Sequence, residues 1–315
     1  MDKSAFAALL EENRAVLLDG GLATELEAQD HDIGGVLWSA VLLRDDPQAI
    51  VAAHRAYLDA GAEIVISASY QASRAGFHQL GIDADDADAL IASSVSLARQ
   101  ACDDHMTADA ERERRPLVAA SIGPYGAVLM DGSEYTGDYG VPDAILHDFH
   151  AQRLALLDAS GADVLACETI PSLQEAGVLA DLLTEVQTPA WISFSCRNVN
   201  ALSDGTPVAE AASMLKDHPN VLAIGINCTP PQFATTLIER IATAAPDKAI
   251  VVYPNSGESY AASDNSWSGS AAFSNLDVTE WLSAGATLIG GCCRVGPTQI
   301  AAISVMLQRS ATTVS

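Results

Sequence analysis

The chain has 315 residues, and 49% of them are apolar, which is enough for a large core. Its net charge of −25, from 41 acidic against 16 basic residues, argues against nucleic acid and anionic membranes as partners. No apolar run approaches the roughly 18 residues needed to cross a membrane. Acidic residues beside the short apolar N-terminal stretch favour an amphipathic helix over a signal peptide. We therefore expect a cytoplasmic protein.

Short apolar runs alternate with helix patterns along the whole chain. The runs are typical of buried strands and begin near residues 16, 63, 117, 163, 190, 222, 249 and 287. A joint of helix end, glycine cap and buried strand recurs after Tyr57, Leu156 and Trp281, and such repeated joints mark βαβ units. Eight units in about 300 residues fit a (β/α)₈ TIM barrel better than a doubly wound sheet. No Gly-x-Gly-x-x-Gly turn follows the first strand, which weakens the dinucleotide-binding alternative.

We accordingly expect one domain over residues 1–315, with its core at about 14–309. Asp46 and Pro47 predict the cap and first residue of a helix that ends at Gly61. His54 lies on the apolar face of this helix, where a packed residue is expected rather than a metal ligand. We predict a solvated connection or helix end at 103–116 and loops at 125–139 and 254–275, all rich in charged or small residues.

Six cysteines in a large, apparently cytosolic chain favour metal binding or catalysis over disulfides. Cys102, Cys167 and Cys196 lie in or next to apolar patterns and are expected to pack as small hydrophobic residues. The other three follow the predicted strands six and eight: Cys228, Cys292 and Cys293. Three thiolates suit a catalytic zinc, which keeps a fourth position open. No Cys-x-x-Cys pattern is present, so packed thiols or a redox pair remain alternatives.

In a barrel of this kind, residues just after the strands share one face, and the active site lies there. The strand ends carry Asp19, Gly20 and Gly21 after the first strand and Glu168 after the fourth. Turn chemistry explains some of the aspartates, asparagines and glycines at such positions. It does not explain Glu168 or the three cysteines.

Six short motifs occur in order: Asp19-Gly-Gly-Leu-Ala-Thr-Glu25, Ser121-Ile-Gly-Pro-Tyr-Gly126, Glu168-Thr-Ile-Pro-Ser172, Gly225-Ile-Asn-Cys228, Tyr253-Pro-Asn-Ser-Gly257 and Gly290-Gly-Cys-Cys-Arg294. Together they resemble the homocysteine S-methyltransferase family, from about residue 16 to 307. The resemblance implies a zinc-dependent barrel with one Zn²⁺ per chain, held by Cys228, Cys292 and Cys293. It also implies that Asp19 and Glu168 meet the substrate amino group. The backbone near Gly20 and Gly21 would lie near the substrate carboxylate, and Asn227 belongs to the same substrate-binding set.

The expected substrates are homocysteine and a sulfonium methyl donor. The motif set is closer to users of S-methylmethionine or S-adenosylmethionine than to betaine users, and one barrel leaves no room for a cobalamin or folate domain. We place Tyr125, Asp138, Tyr139 and Asn255 on the donor side. Acidic and aromatic residues at 131–139 would attract a sulfonium by charge and cation–π contact, although an ordinary acidic loop has the same composition.

Two other functions fit part of this pattern. One is a metal-free barrel enzyme with Cys292 or Cys293 as a thiol nucleophile, which stoichiometric zinc would exclude. The other is a non-catalytic zinc-binding or redox-sensing protein. A sensor has no need for Asp19 and Glu168.

Overall fold

The computed structural model describes residues 4–33, 37–109, 111–129, 131–261, 266–268 and 274–313. In this part of the chain eight parallel strands form one sheet, in which each strand lies beside its neighbour in sequence and the last pairs with the first. A bridge between Leu18 and Ile64 joins the first strand to the second. The strands are β1 Val16–Leu17, β2 Ile64–Ile66, β3 Leu117–Ile122, β4 Val164–Ile170, β5 Ala190–Phe194, β6 Val221–Asn227, β7 Ala249–Tyr253 and β8 Leu288–Ile289. The expected (β/α)₈ barrel is confirmed, whereas the limits 14–309 for its core stay a prediction.

Helices surround the sheet. They are α1 Ala5–Leu10, α2 Leu22–Ala28, α3 Leu42–Asp45, α4 Pro47–Asp59, α5 Arg74–Gln79, α6 Ala84–Ala108, α7 Tyr125–Leu129, α8 Asp143–Asp158, α9 Leu173–Leu183, α10 Val208–Leu215, α11 Ala234–Ala244, α12 Asn275–Ala284 and α13 Pro297–Thr313. Short 3₁₀ turns occur at Trp38–Val41, Ser133–Tyr135 and Pro231–Phe233. None of the helices described has the length and apolar character of a membrane span.

Helix α4 begins and ends where the sequence indicates. The Asp46 side chain accepts a hydrogen bond from the Ala49 N–H, and Pro47 occupies the first turn. Gly61 follows the helix with φ +104°, a conformation that glycine adopts without strain. His54 is buried, and neither ring nitrogen has a partner among the residues described. Burial lowers the pKa of His54 to about 4, so this residue is a packed neutral imidazole.

The stretch 103–116 begins with a helix end, as one of its two predictions has it, whereas the two predicted loops contain secondary structure, and there the prediction was wrong. Helix α6 continues to Ala108, because Cys102 and His105 extend its buried face while Asp103 and Asp104 stay exposed. Residues 125–139 contain α7 and a 3₁₀ turn. Within 254–275 the structure describes an antiparallel hairpin of Ser259–Ala261 with Ser266–Ser268, and several other residues of this stretch lie outside the described chain.

The N-terminal helix closes one end of the barrel. Phe6 and Leu9 of α1 are buried with the inward-facing strand residues, and the Phe6 ring lies 5.9 Å from that of Trp191 at the start of β5. This end is therefore filled by apolar side chains. The opposite end, where the strands finish, carries the polar residues of the predicted site.

Gly225 of β6 leaves no room for a side chain, because an added Cβ would lie 1.6 Å from the carbonyl oxygen of Val251 on β7. We expect Gly225→Ala to reduce the free energy of unfolding by about 3 kcal/mol or more, since the backbone of β7 must move. The matched control is Gly177→Ala in α9, where the added Cβ meets nothing within 4 Å. That change should stabilise the protein by about 0.5–1 kcal/mol through helix propensity. Urea unfolding measures both, and equal effects would contradict the prediction.

Candidate active site

Three cysteine thiols converge at the carboxyl end of the barrel. Cys228 directly follows β6, and Cys292 and Cys293 follow Gly290-Gly291 at the end of β8. The Sγ atom of Cys293 lies 4.0 Å from that of Cys228 and 4.0 Å from that of Cys292. All three sulfurs lie within 4.8 Å of one another. The thiols are free and partly buried, so the structure brings together the residues that the sequence predicts as metal ligands.

The spacing of these sulfurs fits a metal ion. Two thiolates bound to zinc at about 2.3 Å in a tetrahedral arrangement lie roughly 3.8 Å apart, close to the observed separations. The Cys293 thiol lies within hydrogen-bonding distance of both neighbouring thiols. Hydrogen bonding with Cys292 and Cys293 raises the pKa of Cys228, and hydrogen bonds from both neighbours lower the pKa of Cys293. Three full thiolates at this distance need a cation between them, and three ligands leave a fourth position open.

Glycines allow the cysteine loop to approach the first strand. A Cβ on Gly290 would lie 2.7 Å from the Asp19 carbonyl oxygen, and one on Gly21 would lie 2.7 Å from the Cys292 carbonyl oxygen. The Gly291 N–H donates to the Asp19 carbonyl at 3.0 Å. The Tyr57 hydroxyl donates to the Gly21 carbonyl at 2.8 Å. Gly20 and Gly21 therefore have a packing role, and their expected contact with a carboxylate stays a prediction.

Asp19 carries a buried carboxylate that is only half satisfied. The side chain is 1% exposed, and its Oδ2 accepts a hydrogen bond from the Ile66 N–H at 2.8 Å. Its Oδ1 has no hydrogen-bond partner in the described chain. Burial raises the pKa of Asp19 well above its usual range, and the charge of Glu168 raises it further. Such a group binds a cationic ligand readily, because the ligand restores the interactions lost on burial.

The sequence predicts Glu168 at the end of the fourth strand, but β4 continues to Ile170, so Glu168 lies two residues before its end. The pairing of β4 with β5 shifts between Cys167 and Ile170, and a bulge of this kind re-aims a side chain. The Ser121 hydroxyl donates to Glu168 Oε1. Burial raises the pKa of Glu168 to about 8, although hydrogen bonds from Ser121 and Tyr253 act in the opposite direction. In the described part of the chain, no lysine or arginine forms an ion pair with either Asp19 or Glu168.

Asn227 holds the residue after Glu168 in an unusual conformation. Thr169 has φ +61°, which is rare for a β-branched residue. Asn227 Oδ1 accepts from the Thr169 N–H at 2.6 Å, and Asn227 Nδ2 donates to Thr169 Oγ1 at 2.7 Å. The Ser193 hydroxyl donates to the same Oδ1 at 2.8 Å. The amide that we expected to touch substrate therefore also fixes the bulge that aims Glu168.

The residues expected on the donor side differ in their surroundings. The Tyr125 and Tyr139 rings pack edge to face, with centroids 5.4 Å apart. Asp138 is exposed, whereas Asn255 is partly buried and its Oδ1 has no partner among the residues described. Asn255 is thus available to a ligand at the end of β7. Donor contacts of all four residues stay predictions.

Sequence reasoning missed a buried polar cluster beside this site: Glu175 on α9, with His150 and Arg153 on α8. Ser172-Leu-Gln-Glu175 has the pattern of a helix capping box, in which the glutamate bonds back to the cap. This local pattern does not indicate that the Glu175 carboxylate bonds to residues far away in the sequence. The only signal in the sequence was the helix pattern itself.

The chain is similar to known proteins along nearly its whole length. The family model described as homocysteine S-methyltransferase matches residues 16–307. The homocysteine S-methyltransferase YbgG of Bacillus subtilis (strain 168) is 44% identical over 310 residues, which cover 97% of this chain and 98% of that protein. The homocysteine S-methyltransferase of Escherichia coli (strain K12) is 45% identical over 303 residues, covering 94% and 96%. The metallated form of the homocysteine methyltransferase MmuM from Escherichia coli has a TM-score of 0.85 at 41% identity, covering 95% and 98%.

The hydrogen bonds between Asn227 and Thr169 are expected to contribute to stability. Asn227→Ala leaves the Thr169 N–H buried without its acceptor, and we expect it to reduce the free energy of unfolding by about 3 kcal/mol. Asn200→Ala, the same change at an exposed position, should have an effect within about 0.5 kcal/mol. Urea unfolding of both variants checks this. Equal stabilities would show that Asn227 does not brace the bulge.

Proposed function

Because the chain belongs to the homocysteine S-methyltransferase family and is therefore a methyltransferase, we propose that it forms methionine from homocysteine and a sulfonium donor at a zinc site. The observation that carries this proposal is the convergence of three free thiols within 4.8 Å of one another. Soft thiolate ligands favour zinc among the common metals of proteins. A solved relative with this fold is described as metallated, which supports a metal at these residues.

Cys228, Cys292 and Cys293 would hold the ion and leave one position for the substrate sulfur. Zinc there would supply the thiolate form of homocysteine at neutral pH, because metal coordination deprotonates a thiol outright. The three cysteines would also exclude other ligands from most of the coordination sphere. Their partial burial limits the access of water to the reacting sulfur.

Asp19 and Glu168 would bind the homocysteine ammonium group. Both carboxylates are buried, and the described chain supplies no cationic side chain to either of them. An ammonium group between them offsets their desolvation and fixes the substrate sulfur in place. The substrate carboxylate would lie near the Gly20 and Gly21 backbone. The Gly21 N–H is already donated to the Val295 carbonyl at 3.0 Å, which leaves the Gly20 side of this turn for the contact.

The donor is proposed to be S-methylmethionine or S-adenosylmethionine. The homocysteine sulfur attacks the methyl carbon in line, a new sulfur–carbon bond forms, and the donor sulfur–methyl bond breaks. The donor leaves as a neutral thioether, and the thiol proton is lost to solvent. An acidic protein attracts both cationic donors by long-range electrostatics. Tyr125, Asp138, Tyr139 and Asn255 are proposed on this side. The expected cytoplasmic location and lack of nucleic-acid partners stay predictions.

We expect protein purified without chelator to contain about one zinc ion per chain and to form methionine from homocysteine with either sulfonium donor, but not with betaine. Cys292→Ser should lose most of the zinc and at least about a hundredfold of kcat/KM, because changes outside the ligand set already cost 10- to 100-fold. Metal analysis by mass spectrometry and a methionine assay measure the two effects.

Cys102→Ser is the matched control, because this buried thiol lies on α6 at the outer layer of the barrel. It should keep both zinc and turnover. A Cys292→Ser protein with full zinc and activity would refute the proposed ligand set. Wild-type turnover without zinc would favour the metal-free enzyme.

The ammonium contact is tested with a substrate that lacks it. We expect Glu168→Gln to raise the KM for homocysteine about tenfold or more, since a charged hydrogen bond is lost. The KM for 4-mercaptobutanoate, which has no amino group, should change by less than about twofold. Steady-state kinetics with both thiols gives the comparison. Equal losses would show that Glu168 acts elsewhere in the reaction.

A further inference from the structure

Residues 125–129 and 131–139, here called the mouth segment, cover the ends of β4 and β5. The Ser195 hydroxyl at the end of β5 donates to the Glu134 carbonyl at 3.2 Å. Within the segment, Gly126 packs so closely on Glu134 that a Cβ would lie 2.5 Å from the Glu134 nitrogen. A Cβ on Gly137 would lie 3.1 Å from the carbonyl oxygen of Pro171, which follows β4. The segment thus lies over the strand ends, on the barrel face that carries the thiol cluster.

A single buried carboxylate joins the two ends of this segment. Glu175 Oε1 accepts a hydrogen bond from the Tyr125 N–H at 2.6 Å, at the start of the segment. Glu175 Oε2 accepts one from the Tyr139 hydroxyl at 2.8 Å, at its end. His150 Nε2 lies 2.8 Å from Oε1. Burial lowers the pKa of His150, so the ring is neutral and donates this bond. Glu175 itself is completely buried.

The neighbouring arginine extends the same support to the strand ends. Arg153 lies one turn after His150 on α8 and is 4% exposed. Its guanidinium donates to the carbonyls of Gly123, after β3, and of Ser69 and Tyr70, after β2, at 2.9 to 3.1 Å. Arg153 therefore fixes the scaffold, while Glu175 fixes the segment that lies on it.

We propose that Glu175 is a positioning residue for methyl transfer: its carboxylate clamps both ends of the mouth segment and so holds Glu134 over the strand ends, on the barrel face that carries the thiol cluster, where the methyl donor must approach. Glu134 Oε2 is buried without a partner among the residues described, which leaves a carboxylate oxygen for a cationic donor. The proposal rests on the proposed function, since it assigns this side of the site to the donor. It predicts a defect in donor use with homocysteine binding intact.

Three variants separate this role from general stability. Tyr139→Phe removes one of the three hydrogen bonds and should raise the donor KM about fivefold, the effect of one such bond. Glu175→Ala removes all three and should raise it by more than about tenfold, with Glu175→Gln in between because it keeps one acceptor oxygen. Glu185→Gln, the same change at an exposed glutamate just after α9, is the control and should match wild type. Homocysteine affinity and zinc content should stay within about twofold in every variant.

Hydrogen exchange of the substrate-free protein tests the clamp without any turnover. The Tyr125 amide and the rest of the mouth segment should exchange faster in Tyr139→Phe and Glu175→Gln than in wild type and Glu185→Gln. If Glu175→Ala does not fold, Glu175→Gln decides. An unchanged donor KM in Glu175→Gln, or equal losses of donor and homocysteine affinity, would overturn the proposal. Failure of the proposed function would instead appear in the wild-type zinc and methionine assays, with the exchange result unaffected.

Discussion

The close contact between the first and last strands determines how this site is built. Two backbone turns, Asp19–Gly21 and Gly290–Val295, touch across the barrel seam, and the bonds from Gly291 to the Asp19 carbonyl and from Gly21 to the Val295 carbonyl lock them together. A Cβ on Gly21 or Gly290 would collide with backbone atoms of the opposite turn, and one on Gly291 with the Val295 side chain. This contact joins residues about 270 positions apart and places the buried Asp19 carboxylate beside the cysteine loop. The contact that closes the barrel therefore also assembles this part of the site, so a change that opens the seam disturbs both.

Buried carboxylates in this protein fall into two kinds, and the difference indicates their roles. Glu175 has hydrogen bonds to both oxygens and a buried arginine nearby, so the protein itself satisfies it. Asp19 keeps one oxygen without a partner among the residues described, and Glu168 is held by hydroxyl groups without an ion pair there. A satisfied buried charge contributes to structure, whereas an unsatisfied one costs free energy until a ligand arrives. The expected ligands are all cations: zinc, an ammonium group and a sulfonium.

The sequence predicts the barrel because each buried strand is a continuous apolar run followed by a glycine or polar turn. It predicts that Cys228 meets Cys292 and Cys293 because they follow two such runs at one end of the barrel. It fails where the conformation depends on distant partners. Thr169 adopts a left-handed conformation only because Asn227, 58 positions later, binds both its N–H and its hydroxyl. Glu175 fits a local capping pattern, and nothing near it in sequence indicates Tyr125 or Tyr139. Residues 125–139 resemble a loop because their helical turns are short and their stabilising contacts lie on α8 and α9.

Strained backbone at the strand ends gives the site its shape. Thr169 lies near the end of β4, and Cys228 directly follows β6. Both have positive φ although neither is a glycine. Such conformations cost about 1–3 kcal/mol each and persist only when the surrounding structure enforces them. Asn227 joins the two, since it precedes Cys228 in the chain and bonds to Thr169 in space. One amide thus couples the direction of the Cys228 thiol to that of the Glu168 carboxylate. The sheet places the proposed thiol ligand and the carboxylate proposed to bind the ammonium group relative to each other, so their separation does not depend on a flexible loop.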